Sequence, residues 1–305
     1  MTALLFVLIV GSTLAGIAWE RRDAAAAHRG AARVIRLIVW VLGPFVVLFV
    51  MPHIELRGGL GIGLVFAYLE LALVGVLAYL ISTRVLRRSR AVTGAVVCTS
   101  ILGNTGYLGV PLVGALLGRE HIADAVAWDA TVSAVMLYGP AFAVGAALGS
   151  DSGDDRRARV RAFFTRNPVL YALIAGLLIP RSWSPDTVFH VAKWVASVGI
   201  VPLGFFVLGV NLIEEGHGRW PPLAPPAALV TALRLLAAPA LLGALVLISG
   251  ASIPKAFFLQ AAMPSGINSL IVAHTFGLDL RTTAGAIAWS TVTALLGAAV
   301  LAVVL

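Results

Sequence analysis

The stretch G-N-T-G-Y-L-G-V-P at 103–111 and its counterpart M-P-S-G-I-N at 263–268 decide how this chain folds. Each sits inside an apolar segment, 92–116 and 254–275 respectively, long enough to cross a bilayer. Glycine, proline and asparagine fall where a membrane helix should be most regular. Backbone at membrane depth must satisfy its own hydrogen bonds, so a break survives there only inside protein or beside a watery cavity. Two such breaks in corresponding halves of a chain point to the midplane site of a secondary transporter.

Composition agrees with the bilayer reading. Of 305 residues, 60% are hydrophobic and 12% charged, and mean hydropathy is +0.97. Soluble domains carry about twice that charge, so the class is an all-α polytopic membrane protein. The net charge of +8 reads through the placement of loops, and no nucleic-acid partner is expected. The single cysteine, Cys98, lies in an apolar segment and cannot form an intrachain disulfide. The first apolar run, Ala3 to Trp19, has the length of a signal peptide, but its positive charges follow it at Arg21 and Arg22. That order favours a retained helix with its N-terminus outside. No P-loop, metal-spaced His/Cys cluster or serine elbow is present, and Ser265 stands in P-S-G rather than G-x-S-x-G. The expectation is neither an enzyme nor a cofactor or metal protein.

Apolar runs of spanning length number ten: 2–19, 34–51, 59–83, 92–116, 124–148, 167–180, 187–213, 226–249, 254–275 and 281–304. Linker signals are strongest at the charged segment 150–166 and the W-P-P-L-A-P-P run at 220–226. Alternate loops, among them those holding Arg84, Arg156 and Arg219, carry sixteen basic residues; the opposite set, which includes Arg57, Arg119 and Lys193, carries five. The bias predicts both termini outside, in the cell (inner) membrane. An odd number of runs per half makes the second half inverted. Pro44 in the second run then matches Pro202 in the seventh, and the break in the fourth run matches that in the ninth. The domains expected are 1–149, a first five-helix repeat; 150–166, a cytoplasmic linker; and 167–305, the inverted repeat.

Within the breaks, Pro111 suits the first turn of a restarted half-helix, where its missing N–H costs nothing. Gly103, Gly106 and Gly109 permit backbone conformations that other residues resist, and Pro264 and Gly266 interrupt the ninth run just before Asn268. If the segments cross, half-helix N-termini converge near the midplane and offer free N–H groups to an anion. Asn104 and Asn268 can donate and accept, which suits a carboxylate together with freed backbone groups. The candidate substrate-binding set is Asn104, Thr105, Gly106, Pro111, Pro264, Ser265, Gly266 and Asn268. The plainer alternative makes these proline kinks with asparagine as backbone glue.

The motifs G-N-T-G-Y-L-G-V-P-L (103–112) and A-M-P-S-G-I-N-S-L (262–270) resemble the two crossover motifs of the auxin efflux carrier family. R-N-P-V-L-Y-A-L-I-A-G (166–176), I-V-P-L-G-F-F-V-L-G-V-N-L (200–212) and L-R-L-L-A-A-P (233–239) extend the likeness over nearly the whole chain. The resemblance implies the bile-acid-symporter-like fold, with the first, second, sixth and seventh helices as scaffold and the third to fifth and eighth to tenth as a moving core. It also implies transport of small organic carboxylates and a homodimer joined through scaffold helices. The segment between halves is short, and Asn211 stands where the family often has a small residue, so auxin itself is not implied.

Ionisable residues inside spans are functional candidates by default. Glu70 lies ~15 Å into the third run and Arg234 ~12 Å into the eighth, at the rise of a helix. The two read either as a structural ion pair, or with Arg234 snorkelling to the surface, or with Glu70 carrying a proton during the cycle. Asp129 is a further coupling candidate, although it and His274 lie nearer helix ends, where interfacial solvation accounts for them. A sodium-coupled symporter of the bile-acid type is the alternative on the same fold. Sodium wants oxygen ligands, and since neither break holds a carboxylate, Glu70 or Asp129 would have to reach the site. A channel or a substrate-sensing receptor is the alternative of another class.

Overall fold

The computed structural model describes residues 2–53, 61–153, 155–212 and 223–304. Arg57, Arg219 and Trp220, with Pro221 and Pro222 of the proline-rich run, lie outside the described residues. In chain order the helices are α1 (Thr2–Arg22), α2 (Ala24–His53), α3 (Gly61–Val85), α4 (Arg90–Ile101), α5 (Thr105–Leu116) and α6 (Ile122–Leu148). There follow α7 (Arg156–Thr165), α8 (Pro168–Leu178), α9 (Asp186–Leu212), α10 (Pro225–Ser249), α11 (Lys255–Ala261), α12 (Asn268–Phe276) and α13 (Leu280–Val304). Among the described residues there is no strand, only one isolated antiparallel bridge between Gly103 and Ser265. Helices α2, α3, α6, α9 and α10 are each long and apolar enough to cross a membrane. The molecule is an α-helical, multi-pass membrane protein.

The second run is longer than its apolar stretch. Asp23 accepts a hydrogen bond from the Ala26 N–H at 2.9 Å and starts α2 at Ala24, ten residues before the expected 34. That added part is amphipathic, burying Ala27, Ala31 and Ile35 and exposing Arg29, Arg33 and Arg36. Asn167 caps α8 in the same manner by accepting from Leu170 N–H at 3.2 Å, with Pro168 at the first helical position.

Prolines inside the spans leave a regular trace. Proline lacks an N–H, and its ring clashes with the carbonyl four residues back. Pro44, Pro111, Pro202 and Pro239 each follow, by two residues, a π-helical turn: Ile38–Leu42, Thr105–Gly109, Val195–Ile200 and Leu233–Ala237. Pro140 lies within another, Leu137–Ala141. The wider turn moves the offending carbonyl aside at little cost to the helix. Pro111 is therefore not in the first turn of its half-helix: α5 restarts at Thr105, six residues earlier. The π turn Asp129–Ser133 in α6 contains no proline, and none follows it until Pro140.

Glycine sets the closest approaches. Along α1 and the second half of α9, a Cβ on Gly16 would strike Phe206 O and one on Gly209 would strike Thr13 O, so the two backbones touch. Helix α8 and the first half of α9 both pack on the 43–50 stretch of α2, where Gly176 faces the carbonyls of Val47 and Leu48. Helices α3, α4, α10 and α13 pack on one another. Edge-on aromatic pairs, Trp128 with Phe257 at 5.0 Å and Phe142 with Phe276 at 5.4 Å, tie α6 to α11 and α12.

Candidate functional site

The two breaks cross and bond to each other. Asn104 N–H donates to Pro264 O and Gly266 N–H to Leu102 O, both at 2.7 Å. Groups freed by breaking one helix are thereby satisfied by the other, as hydrocarbon surroundings demand. The crossing is tight: a Cβ on Gly266 would lie 2.8 Å from Gly103 O. Ser265 is wholly buried and fastens the second break, its Oγ donating to Thr99 O at 2.8 Å and its N–H to Ser290 Oγ at 3.1 Å. Ser269 Oγ donates to Gly266 O.

Arg234 comes at this crossing from α10. It is 1% exposed, and its Nε donates to Met263 O at 2.9 Å and its Nη1 to Ser100 O at 3.4 Å. Those carbonyls belong to the chain where α4 and α11 run out, so one guanidinium caps the negative ends of both entering half-helices. Of the readings open from sequence, a Glu70–Arg234 contact of salt-bridge length is not made, although the two charges lie near enough to act on each other, and Arg234 does not snorkel. Both Glu70 oxygens are buried without a hydrogen-bond partner among the described residues. Arg234 is instead the fastener of the crossing.

On the other side of the crossing lies a cavity of about 430 Å³. Its polar floor is Asn104, Thr105, Gly106, Gly266 and Asn268 from the two breaks, with Asp129 and Ser133 from α6. Val46, Val47, Val50 and Met51 of α2 form an apolar wall, and His53, Phe189 and Lys193 stand toward its mouth. Among the described residues the Asn104 and Asn268 carboxamides make no hydrogen bond, and both open onto this space. So do the starts of α5 and α12, whose first N–H groups have no acceptor within the helix.

Asp129 sits at the floor. Thr105 Oγ1 donates to Asp129 Oδ1 at 2.6 Å and lies 2.7 Å from Ser133 Oγ, while a Cβ on Gly106 would lie 2.8 Å from Asp129 Oδ2. Its proximity to the helix end in sequence suggests interfacial solvation; in the structure the cavity descends from that end, so Asp129 joins the breaks. A carboxylate therefore does accompany the two asparagines. Lys193 is exposed near the mouth, its Nζ 5.2 Å from the centre of the Phe189 ring, and His53 stacks on the same ring at 4.1 Å.

Of the candidate binding residues, Asn104, Thr105, Gly106, Gly266 and Asn268 line the cavity; Pro111, Pro264 and Ser265 do not. Pro264 contributes its carbonyl to the crossing, Ser265 holds it from behind, and Pro111 shapes α5. Of the coupling candidates, Asp129 lies in the cavity while Glu70 and Arg234 lie outside it. Sequence reasoning missed Ser133, although it falls four residues after Asp129 on the same helix face. His53 and Lys193 were beyond reach, since nothing local marks which helix end borders the cavity.

A family model described as membrane transport protein matches residues 161–302. A protein of Methanocaldococcus jannaschii named as an uncharacterized transporter is 25% identical over 234 residues, covering 73% of this chain and 72% of that one. An uncharacterized transporter of Methanothermobacter thermautotrophicus is 28% identical over 242 residues, 76% of this chain and 74% of its own.

Proposed function

We propose that this chain is a member of the auxin efflux carrier family of membrane transport proteins and that it moves small organic carboxylates by alternating access at the crossover cavity. The observation that carries the reading is the pair of unengaged carboxamides, Asn104 and Asn268, set beside two helix starts in one cavity. Amide N–H groups and the positive ends of helix dipoles suit a carboxylate. The apolar wall from α2 suits the carbon skeleton of the same molecule.

In this reading the chain spans the membrane ten times as a 5+5 inverted repeat, the broken pairs α4–α5 and α11–α12 each counting as one span. Helices α1, α2, α8 and α9 serve as scaffold, α3–α6 and α10–α13 as moving core, with α7 in the linker between the halves, a division supported by the packing within each group. Both termini lie outside. His53 ends α2, Ile122 begins α6 and Asp186 begins α9, and these ends point away from the arginine-rich loops. The cavity then faces outward. A homodimer through scaffold helices remains part of the proposal.

A carboxylate settling beside Asp129 brings a second negative charge into one enclosed space, where the pair repels strongly. Substrate and a proton on Asp129 consequently favour each other's binding, and Asp129 replaces Glu70 as the coupling residue of choice. The sodium reading is weaker, because Arg234 already supplies positive charge to the carbonyl ends that a cation would seek. Uptake of a panel of organic acids into proteoliposomes, with proton and sodium gradients imposed separately, tests the proposal. Carboxylate uptake should rise with an imposed proton gradient, and Asp129→Asn should lose that response while still binding substrate. A sodium-only response, or single-channel steps in planar bilayers, would overturn it.

A further inference from the structure

A second pocket, of about 350 Å³, lies at the arginine-rich end, between α2 and the end of α12. Its wall is Ile35, Val39 and Trp40, and its polar groups come from Arg36, Arg166 and His274. Arg166 spends one N–H on Thr275 O at 3.1 Å, which leaves four of its five donors. Arg36 is exposed and makes no hydrogen bond or ion pair among the described residues. His274 Nε2 lies 3.3 Å from Asn211 Nδ2 of α9, so the pocket floor joins two helices that also border the crossover.

The surroundings say what such a pocket holds. Arg29, Arg33, Arg36 and Trp40 recur at helical spacing and are all exposed, forming one stripe along α2. Trp40 stands ~6 Å beyond Arg36 along the axis, and its exposed neighbours Leu37 and Val41 are apolar. Cation first and then indole and aliphatic carbon is the order of groups met on descending from headgroups into acyl chains. The wall is too apolar for a small hydrophilic anion and too cationic at its rim for a neutral lipid.

We propose that this pocket binds one anionic phospholipid, its phosphate between Arg36 and Arg166 and one acyl chain along Val39 and Trp40. The site is separate from the crossover cavity and does not depend on what the protein transports. The bound lipid touches α2 on one side and α12 on the other, so it bridges the two helices at this end.

Native mass spectrometry of the detergent-purified chain, titrated with phosphatidylglycerol and phosphatidylcholine of matched chains, tests the site. One phosphatidylglycerol should bind at least tenfold more tightly than phosphatidylcholine. Arg36→Gln should weaken it about fivefold, since a basic residue near the headgroups is worth about 1 kcal/mol. Arg36→Lys should retain it. Arg33→Gln, on the same stripe but outside the pocket, should change it less than twofold; equal losses at both positions would mean diffuse attraction and overturn the site. Displacement of the lipid by millimolar inorganic phosphate would make this a free-anion site and overturn the lipid assignment. In vesicles, brominated acyl chains on phosphatidylglycerol should quench the fluorescence that Trp40→Phe removes. Absent quenching, with Trp40 shielded by a second copy of the chain, would also overturn it.

Discussion

The two breaks look equivalent in sequence and differ in what they face. From Met263 to Ile267 every residue of the second break is buried, and its polar groups are turned to Thr99, Ser290 and Arg234. The first break opens outward: Gly106 and Tyr107 are partly accessible, and Thr105 reaches to Asp129 and Ser133 beside the cavity. One break is a clasp, and the other faces the cavity. Asn268, just past the clasp, is where the second break rejoins the cavity. Two breaks alike in composition thus make an asymmetric crossing, and substitutions in them should separate stability from binding.

The largest effect belongs to Arg234, on which both breaks rely. Arg234→Leu would leave the Ser100 and Met263 carbonyls without their donor in a dry interior, a loss on the order of 3 kcal/mol or more. The expected outcome is little monodisperse protein by fluorescence-detected size exclusion; a well-folded, transporting variant would break the clasp account.

Glycines give a sharper contrast. Gly266→Ala forces a methyl against the Gly103 carbonyl and should cost about 1–3 kcal/mol, as overpacking of rigid backbone does. Gly106→Ala meets the Asp129 carboxylate instead, a side chain that can turn aside. It should leave thermal stability within ~0.5 kcal/mol, the range of tolerated changes, yet weaken substrate binding. Thermal unfolding and equilibrium binding measured on both variants check the pairing, and reversal of the two outcomes would undo the division of labour.

Smallest is the contrast of hydroxyls. Ser265→Ala removes one buried hydrogen bond and should cost ~1 kcal/mol of stability with binding intact. Thr105→Val should do the opposite, changing affinity and its pH dependence through Asp129 while the melting temperature stays put.

The position of both breaks was legible because glycine, proline and asparagine have no ordinary use at membrane depth. Glu70 is 0% exposed, but its place along the third run says nothing of its direction around the helix. Arg234 shares that history: sequence gave its distance along the span and not the pair of carbonyls it would meet. Asp129 failed for the converse reason, since a cavity open toward one end makes a residue near that end part of the floor. The early start of α2 was masked because its first turns are basic outside and alanine-rich inside, which hydropathy averages away. The π turn Asp129–Ser133 has no proline signature at all. It is known only from the structure, where it presents both of its end residues to the cavity.

The central claim is that Asn104 and Asn268, one from each break, grip a single carboxylate. Isothermal titration of the tightest-binding organic acid against wild type, Asn104→Ala, Asn268→Ala and the double variant tests it directly. Each single substitution should cost about 1.5–3 kcal/mol in binding, as hydrogen bonds to a charged group do. Because both contact one ligand, the double variant should depart from additivity by at least ~0.5 kcal/mol. Strict additivity, or wild-type affinity in either single variant with the fold preserved, would contradict the account.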